Sequence, residues 1–231
     1  MNLTLVQTVE DFLYDKSITC VDKTVSYYRE NIYKFIRWYT DYYSIEQKDV
    51  MLNDINNSIL NEYIKWLRNK NKFEGHPIHG GSSKEKISNN TIRTYQRALR
   101  TFLKYCYDEE YLDTDLARKF KYIRETETIV LPLYNDDVIK IDNMFNIKCK
   151  QGIRNTCIIH LMLDAGLRSG EVVRLNIGDI DFKKAIIFIN NSKFNKSRMV
   201  PVGNKLRQLL HKYLIIYLGV SENQSYDLKI S

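Results

Sequence analysis

The sequence contains few of the residues that interrupt regular structure: of its 231 residues, nine are glycine and three are proline. Disordered and collagen-like chains are rich in both, so this composition excludes those two classes. Hydrophobic residues make up 44% of the chain and charged residues 27%. A chain of this length and composition can bury a core in one large domain or in two domains of about 100 residues each. We expect two folded domains.

Cysteines and long apolar runs are also scarce. The four cysteines lie far apart and form no C-x-x-C pair, so the sequence predicts neither a disulfide framework nor a thiolate metal site. The longest apolar runs, near Cys157 to Leu163 and Tyr213 to Val220, are too short to cross a bilayer. The N-terminus lacks the basic start and long apolar centre of a signal peptide. These absences favour a soluble protein of the reducing cytoplasm.

Positive charge is unevenly distributed along the chain. The formal net charge is +7; residues 1–130 hold 20 basic and 19 acidic side chains, whereas residues 131–231 hold 15 and 9. The second part is therefore the basic one. Such an excess is compatible with a polyanionic partner, although many ordinary proteins share it.

Helical periodicity dominates the first half, where apolar residues recur at steps of three and four. The pattern predicts a bundle of four helices: Val6 to Tyr14, Val25 to Tyr43, one that begins near Asp54 with Asp54 or Asn56 as its cap, and Asn89 to Glu110. A loop rich in glycine, serine, lysine and histidine, Asn71 to Ser88, separates the last two. Its His76 and His79 form an H-x-x-H pair, but no third ligand is evident nearby, so we expect no metal site.

The pattern changes after a predicted hinge at Glu125 to Asn135, which contains the extended Leu131-Pro132-Leu133. Short β-branched segments follow among helices and predict a small antiparallel sheet. The predicted helices are Asp136 to Phe145, Gly152 to Ala165 and Lys205 to about Leu218, and the strands are Asp179 to Asp181, Ala185 to Asn190 and Arg198 to Val202. We interpret His160, on an apolar helix, as a core histidine. The predicted domains are residues 1–124 and 136–231, joined by a linker, 125–135.

A row of basic residues follows the outward face of the helix from Asn89 to Glu110 and begins just before it. Rows of this kind can bind phosphates, although they more often belong to a helix face that is simply exposed to solvent. The candidate DNA contacts in this row are Lys84, Lys86, Arg93, Arg97, Arg100 and Lys104.

Two segments carry residues suited to phosphate chemistry. In the first, Gly166 stands two positions before Arg168, where one helix ends and another begins, so that the arginine is fixed at a helix junction. A guanidinium held there offers a planar fork of donors to phosphate oxygens, and Glu171, one turn later, can orient it. In the second, Lys193 and Lys196 lie at the tip of a predicted hairpin, from which a lysine can reach a substrate.

Together these segments resemble the tyrosine recombinases, the phage-integrase-type site-specific recombinases. The sequence motifs of the family are approximately G-L-R-x-x-E-x-x-x-L-x-x-x-D-I-D and G-K-x-x-K-x-R-x-V-P. The positions that match are Gly166, Leu167, Arg168, Glu171, Leu175, Asp179, Ile180, Asp181, Lys193, Lys196, Arg198, Val200 and Pro201. The helical first part resembles the family's core-binding (SAM-like) domain, which forms a clamp around DNA with the catalytic domain. The implied fold is mainly α with a small antiparallel sheet.

The resemblance implies metal-independent breakage and rejoining of DNA strands through a 3′-phosphotyrosyl link, with double-stranded DNA as partner and no cofactor. Arg168 would be the first of two catalytic arginines, supported by Glu171. Lys193 would be the general acid, with Lys196 as the neighbouring candidate. Lys196 and Arg198 are further candidate DNA contacts.

The sequence departs from the family after the second segment. The H-x-x-R motif is missing, because His211, the sole later histidine, has no arginine three positions on. Tyr226 lies near the end but lacks the motif that precedes the family's nucleophile. We therefore expect a truncated catalytic domain that does not recombine DNA alone, with a full-length recombinase or a missing C-terminal fragment as candidate partner.

Two alternatives to a recombinase remain open from the sequence. One is a non-catalytic helical DNA-binding regulator, in which the integrase-like motifs are inherited scaffold. The other is a protein-interaction module with solvated basic rows. Salt dependence separates them, because phosphate contacts weaken steeply with salt through counterion release, whereas an apolar protein interface does not.

Overall fold

The computed structural model describes residues 3–74, 83–125, 129–190 and 197–219. The chain divides between Ile129 and Val130 into two compact units, here called unit 1 and unit 2. This division falls within the predicted linker, 125–135. Unit 1 is helical, and unit 2 combines helices with a three-stranded antiparallel sheet. The predicted fold class, mainly α with a small antiparallel sheet, is confirmed.

Unit 1 contains all four predicted helices. Each begins within about three residues of its predicted start. A short helix near the end of the unit had no clear periodicity in the sequence. The helices are α1 Leu5–Thr19, α2 Asp22–Tyr43, α3 Asn57–Asn69, α4 Asn89–Asp108 and α5 Leu116–Lys119.

Side-chain caps fix where these helices begin. Thr4 caps α1 by accepting a hydrogen bond from the backbone N–H of Gln7, and Ser88 caps α4 in the same way. For α3 the sequence left two candidates, and the structure selects Asn56, whose Oδ1 accepts the backbone N–H groups of Ser58 and Ile59. Such caps satisfy donors that have no partner inside the helix.

Aromatic side chains form much of the core of unit 1. Phe12, Phe35, Tyr63 and Phe102 are almost fully buried. The rings of Phe12 and Phe102 meet edge to face with centroids 5.6 Å apart, which joins α1 to α4. Trp38 is 4% exposed. The apolar helical faces read from the sequence therefore pack against one another as expected.

Unit 2 follows the predicted order of helices and strands. A 3₁₀ turn, Ile177–Asp179, precedes the first strand, and a π-helical turn, Lys212–Tyr217, continues the last helix. The elements are α6 Asn135–Asn143, α7 Lys150–Leu163, α8 Ser169–Arg174, β1 Ile180–Asp181, β2 Ile186–Ile189, β3 Arg198–Pro201 and α9 Asn204–His211. The strand order is β1-β2-β3, and β2 pairs with β3 so that Ile187 faces Val200 and Ile189 faces Arg198.

A polar network joins α6 to the rest of unit 2. His160, on α7, is 1% exposed, and its ring nitrogens lie 2.7 Å from Asp142 Oδ1 and 2.8 Å from Asp164 Oδ2. Asp142 Oδ2 also accepts a hydrogen bond of 2.5 Å from Lys205 Nζ on α9. No residue of α6 itself is buried, so this network is a principal attachment of the helix. The interpretation of His160 as a satisfied core histidine is confirmed.

None of the helices in the described part of the chain is both long enough and apolar enough to cross a membrane.

We predict that Asp142→Asn lowers the free energy of unfolding of unit 2 by about 1–2 kcal/mol at pH 7, because it weakens the hydrogen bonds to His160 and Lys205. Partial burial alone would raise the pKa of Asp142, but the hydrogen bonds from Lys205 and His160 outweigh burial and lower it below its ordinary value of 3.8. The stabilisation is therefore present above that value and is lost as the pH falls below it.

Urea unfolding followed by circular dichroism at several pH values measures this difference. Asp136→Asn, an exposed substitution on the same helix, is the matched control. Equal unfolding midpoints for the two variants at pH 7 would contradict the prediction.

Candidate phosphate-binding and DNA-binding residues

The junction between α7 and α8 places Arg168 at the surface of unit 2. Gly166 has a φ of 62°, in the left-handed region that side chains other than glycine rarely adopt. The backbone N–H of Leu167 then donates to the Leu161 carbonyl, which closes the end of α7. Arg168 follows as the N-cap residue of α8, and its side chain is 62% exposed. The sequence predicted this placement from the glycine two positions earlier.

Glu171 holds Arg168 in two ways. Its Oε2 accepts the backbone N–H of Arg168 at 2.8 Å, and its Oε1 accepts a guanidinium N–H of the same residue at 2.9 Å. The Glu171 side chain is only 2% exposed. The orienting role proposed for Glu171 from the sequence therefore has a geometric basis: one carboxylate fixes both the main chain and the side chain of Arg168.

A second arginine shares this carboxylate. Arg198, at the start of β3, donates Nη1 to Oε1 and Nη2 to Oε2 of Glu171, each at 2.8 Å. This is the bidentate fork of a guanidinium on a carboxylate. Glu171 thus receives three guanidinium hydrogen bonds and one backbone hydrogen bond. We call Arg168, Glu171 and Arg198 the arginine–carboxylate cluster.

Strand alternation explains where Arg198 points. Arg198 faces Ile189 in the ladder and, with Val200, lies on the side of the sheet that carries the buried Ile187 and Ile189. Met199, between them, is exposed. The sequence suggested Arg198 as a DNA contact, but the structure turns its guanidinium towards Glu171. Side chains alternate between the two faces of a strand, and this alternation along β3 is the feature of the sequence that could have predicted the inward orientation of Arg198.

The cluster keeps Glu171 ionised. The pKa of Glu171 falls from 4.5 to about 2, chiefly because Arg198 hydrogen-bonds the carboxylate; burial acts in the opposite direction, and the bonds from Arg168 lower the pKa further. The same pair raises the pKa of Arg198. Two guanidinium groups and one carboxylate leave one net positive charge, and the exposed Arg168 retains N–H donors that can meet a phosphate oxygen.

Two other residues that match the family motifs, both aspartates, accept hydrogen bonds from the backbone of nearby turns. Asp179 Oδ2 accepts the backbone N–H of Asn176, which closes the 3₁₀ turn before β1. Asp181 Oδ1 accepts the backbone N–H of Lys184 in the turn between β1 and β2. Both aspartates therefore stabilise turns of the backbone, and neither belongs to the arginine–carboxylate cluster.

Several residues singled out in the sequence lie outside the described residues. They are His76, His79, Lys193, Lys196 and Tyr226. The strands on either side of Lys193 and Lys196, β2 and β3, are paired as predicted for a hairpin. The assignments of Lys193 as general acid and of Lys196 as its alternative stay predictions.

The basic row on unit 1 is divided between internal contacts and exposed charges. Arg93 donates to the Ile123 carbonyl at 2.8 Å, and Arg100 donates to the Phe120 carbonyl. Both guanidinium groups also lie over the ring of Tyr122, at 5.1 and 4.6 Å from its centroid. These two arginines therefore fasten the end of unit 1 to α4, a contact that the sequence analysis missed.

The remaining members of the row lie nearer to solvent. Lys104 pairs with Asp108 at 2.6 Å, and Lys86 donates to the Asn69 carbonyl at 2.5 Å. Arg97 and Lys84 are exposed. Lys86 and Lys104 are exposed as well, so Arg97 and Lys84 differ from them in making no side-chain hydrogen bond or ion pair among the described residues.

No cluster of three or more histidine, cysteine, aspartate or glutamate side chains suited to a metal ion occurs within the described ranges.

The two units match two parts of one protein family. Residues 4–122 match the phage integrase SAM-like domain, and residues 133–228 match the phage integrase family. The chain belongs to the phage integrase family, the tyrosine recombinases. The resemblance seen in the sequence is confirmed for both units.

Curated relatives carry the same family name. The chain is 29% identical over 166 residues to tyrosine recombinase XerC of Thermodesulfovibrio yellowstonii, a match that covers 68% of this chain and 53% of the relative. It is 27% identical over 194 residues to tyrosine recombinase XerA of Saccharolobus solfataricus, covering 84% of this chain and 59% of the relative. The chain thus spans little more than half the length of these relatives.

Solved structures of integrases share the fold. A lambda integrase tetramer bound to a Holliday junction aligns with a TM-score of 0.69 at 15% identity, covering 99% of this chain and 60% of the integrase. The Tn1549 transposon integrase in complex with transposon right end DNA aligns with a TM-score of 0.67 at 14% identity, covering 96% and 68%. At these identities the likeness concerns the fold.

We predict that Glu171→Gln destabilises unit 2 by about 2 kcal/mol at pH 7, because a neutral amide cannot replace a buried carboxylate that pairs with two guanidinium groups. The folded-state pKa of Glu171 is lowered to about 2. Its stabilisation is therefore full above the ordinary pKa of 4.5 and is lost as the pH falls from there towards 2.

Urea unfolding of the unsubstituted chain and of Glu171→Gln at pH 7, 5 and 3 tests this pH dependence. The difference in free energy of unfolding between the unsubstituted chain and Glu171→Gln should be equal at pH 7 and 5 and smaller at pH 3. A difference that stays constant down to pH 3 would show that the ionised carboxylate is not its source.

Proposed function

We propose that this chain binds duplex DNA and presents Arg168 to a phosphodiester during site-specific DNA recombination or integration. The observation that carries the proposal is the placement of Arg168: an exposed guanidinium at a helix junction, held through its main chain and side chain by a buried carboxylate. Family membership supports the same conclusion, since the curated relatives are named tyrosine recombinases.

The chemistry of strand exchange accounts for this arrangement. Attack of a tyrosine oxygen on a phosphodiester builds negative charge on the non-bridging oxygens, and a preorganised donor stabilises that charge without having to move. Glu171 supplies the preorganisation for Arg168. We assign Lys193, or Lys196 in its place, as the acid that protonates the departing 5′ oxygen.

The DNA-binding surface is proposed to involve both units. Residues 1–124 would form the core-binding domain, 125–135 the linker and 136–231 part of the catalytic domain. Arg97 and Lys84 are the strongest candidates for backbone phosphate contacts in the first domain, because both are exposed and neither side chain bonds another described residue. Lys86, Arg93, Arg100 and Lys104 are weaker candidates, since each also bonds within unit 1.

The sequence contains no H-x-x-R motif after Arg168. We therefore propose that these 231 residues bind DNA without completing strand transfer. The second arginine and the nucleophile would come from residues outside this sequence, either in a further C-terminal fragment or in a full-length recombinase that binds the same site.

We predict that the affinity of the chain for duplex DNA falls steeply with salt, as expected for phosphate contacts that release counterions. Arg97→Gln should reduce the slope of log K against log salt by about 0.9, the value for one phosphate contact on duplex DNA. Arg168→Gln should also weaken binding. Fluorescence anisotropy with a labelled duplex over a salt series measures these effects.

Arg207→Gln provides the control, because Arg207 is exposed on α9 and belongs to neither the basic row nor the arginine–carboxylate cluster. Affinity that does not depend on salt would support the protein-interaction alternative. Loss of binding in Arg97→Gln together with unchanged binding in Arg168→Gln would favour the DNA-binding regulator.

A further inference from the structure

The two arginines of the arginine–carboxylate cluster make unequal use of Glu171. Arg198 bonds both carboxylate oxygens through both of its terminal nitrogens. The side chain of Arg168 bonds only Oε1, through one terminal nitrogen, and its backbone N–H bonds Oε2. A guanidinium fork that engages both oxygens fixes the carboxylate in the plane of the fork, and the side chain of Arg168 makes no such fork. Arg198 is therefore the only other side chain on Oε1, the oxygen that holds the Arg168 guanidinium, among the described residues, and it also bonds Oε2.

The two arginines also differ in how far their side chains are exposed to solvent. The side chain of Arg168 is 62% exposed, that of Arg198 is 34% exposed and that of Glu171 is 2% exposed. A buried carboxylate that loses its bidentate partner reorients or draws in other donors, because an uncompensated buried charge is costly. Arg168 would then lose the fixed acceptor that aims its guanidinium.

We infer that Arg198 is a positioning residue for Arg168, which orients the exposed guanidinium through the shared carboxylate of Glu171 and does not itself contact DNA. This inference rests on the proposed function, in which Arg168 meets a phosphodiester. It replaces the direct DNA contact suggested for Arg198 by the sequence. It also assigns β3 a part in the site, since the strand carries the residue that orients the side chain at the N-cap of α8.

A double-mutant cycle on the full chain tests the inference through DNA affinity. We expect Arg168→Gln and Arg198→Gln each to weaken binding to a short duplex by about tenfold, the effect of losing one hydrogen bond to a charged group. In the Arg168→Gln background, Arg198→Gln should have no further effect, because Arg198 acts only through Arg168. A second tenfold loss in that background would overturn the inference.

The conservative variant Arg198→Lys separates positioning from charge and from folding. Lysine keeps the positive charge beside Glu171, so the thermal unfolding midpoint should stay near that of the unsubstituted chain. It cannot form the bidentate fork, so DNA affinity should still fall by about tenfold. If Arg198 instead contacted phosphate directly, lysine would keep the contact and the affinity would be nearly unchanged. Arg207→Gln, which alters an exposed arginine of the same unit, controls for lost charge.

Failure of the inference and failure of the proposed function give different results. Unchanged affinity in Arg168→Gln contradicts the proposed function, whereas additive losses at the two arginines contradict only the inference. If neither Arg198 variant folds, guanidinium ¹⁵N NMR of the unsubstituted chain decides. On adding duplex DNA, the Arg168 signals should shift and those of Arg198 should stay in place; equal shifts of both would overturn the inference.

Discussion

The carboxylate of Glu171 is the point on which the candidate site depends. A buried ionised group has to be paired, and here it is paired with the backbone N–H and the guanidinium of the N-cap residue of α8 and with a guanidinium from β3. The same hydrogen bonds begin α8, attach that helix to the sheet and aim Arg168 outwards. Local folding and the geometry of the proposed phosphate site therefore share one interaction, and a change at Glu171 affects both.

Unit 1 is held together by a different kind of interaction. Its helices meet through apolar and aromatic side chains, such as Phe12 against Phe102. Arginines take part at the end of the unit, where Arg93 and Arg100 bond backbone carbonyls and lie over Tyr122. Long side chains on a basic helix face can thus pack as well as carry charge. This dual use is why a row of basic residues does not by itself identify a DNA-binding surface.

Much of the fold could be predicted because its signals are local. Hydrophobic periodicity located the four long helices of unit 1, and short β-branched segments located the three strands of unit 2. Gly166 marked the helix junction that carries Arg168. Local signals were weaker where two caps competed, and only the folded backbone selected Asn56. Helix α5, with four residues, is too short to show a period.

The sequence by itself determined the family, the order of the elements and the presence of Arg168 and Glu171 at one helix junction, because these depend on motifs and on contacts between residues close in the chain. Only the tertiary structure decided that Arg198, 27 residues beyond Glu171, turns inward to the same carboxylate. It also decided that Arg93 and Arg100 pack against the end of unit 1. The physical reason is that a charged side chain is satisfied by whichever partner the folded chain brings within hydrogen-bonding distance, and periodicity does not identify that partner.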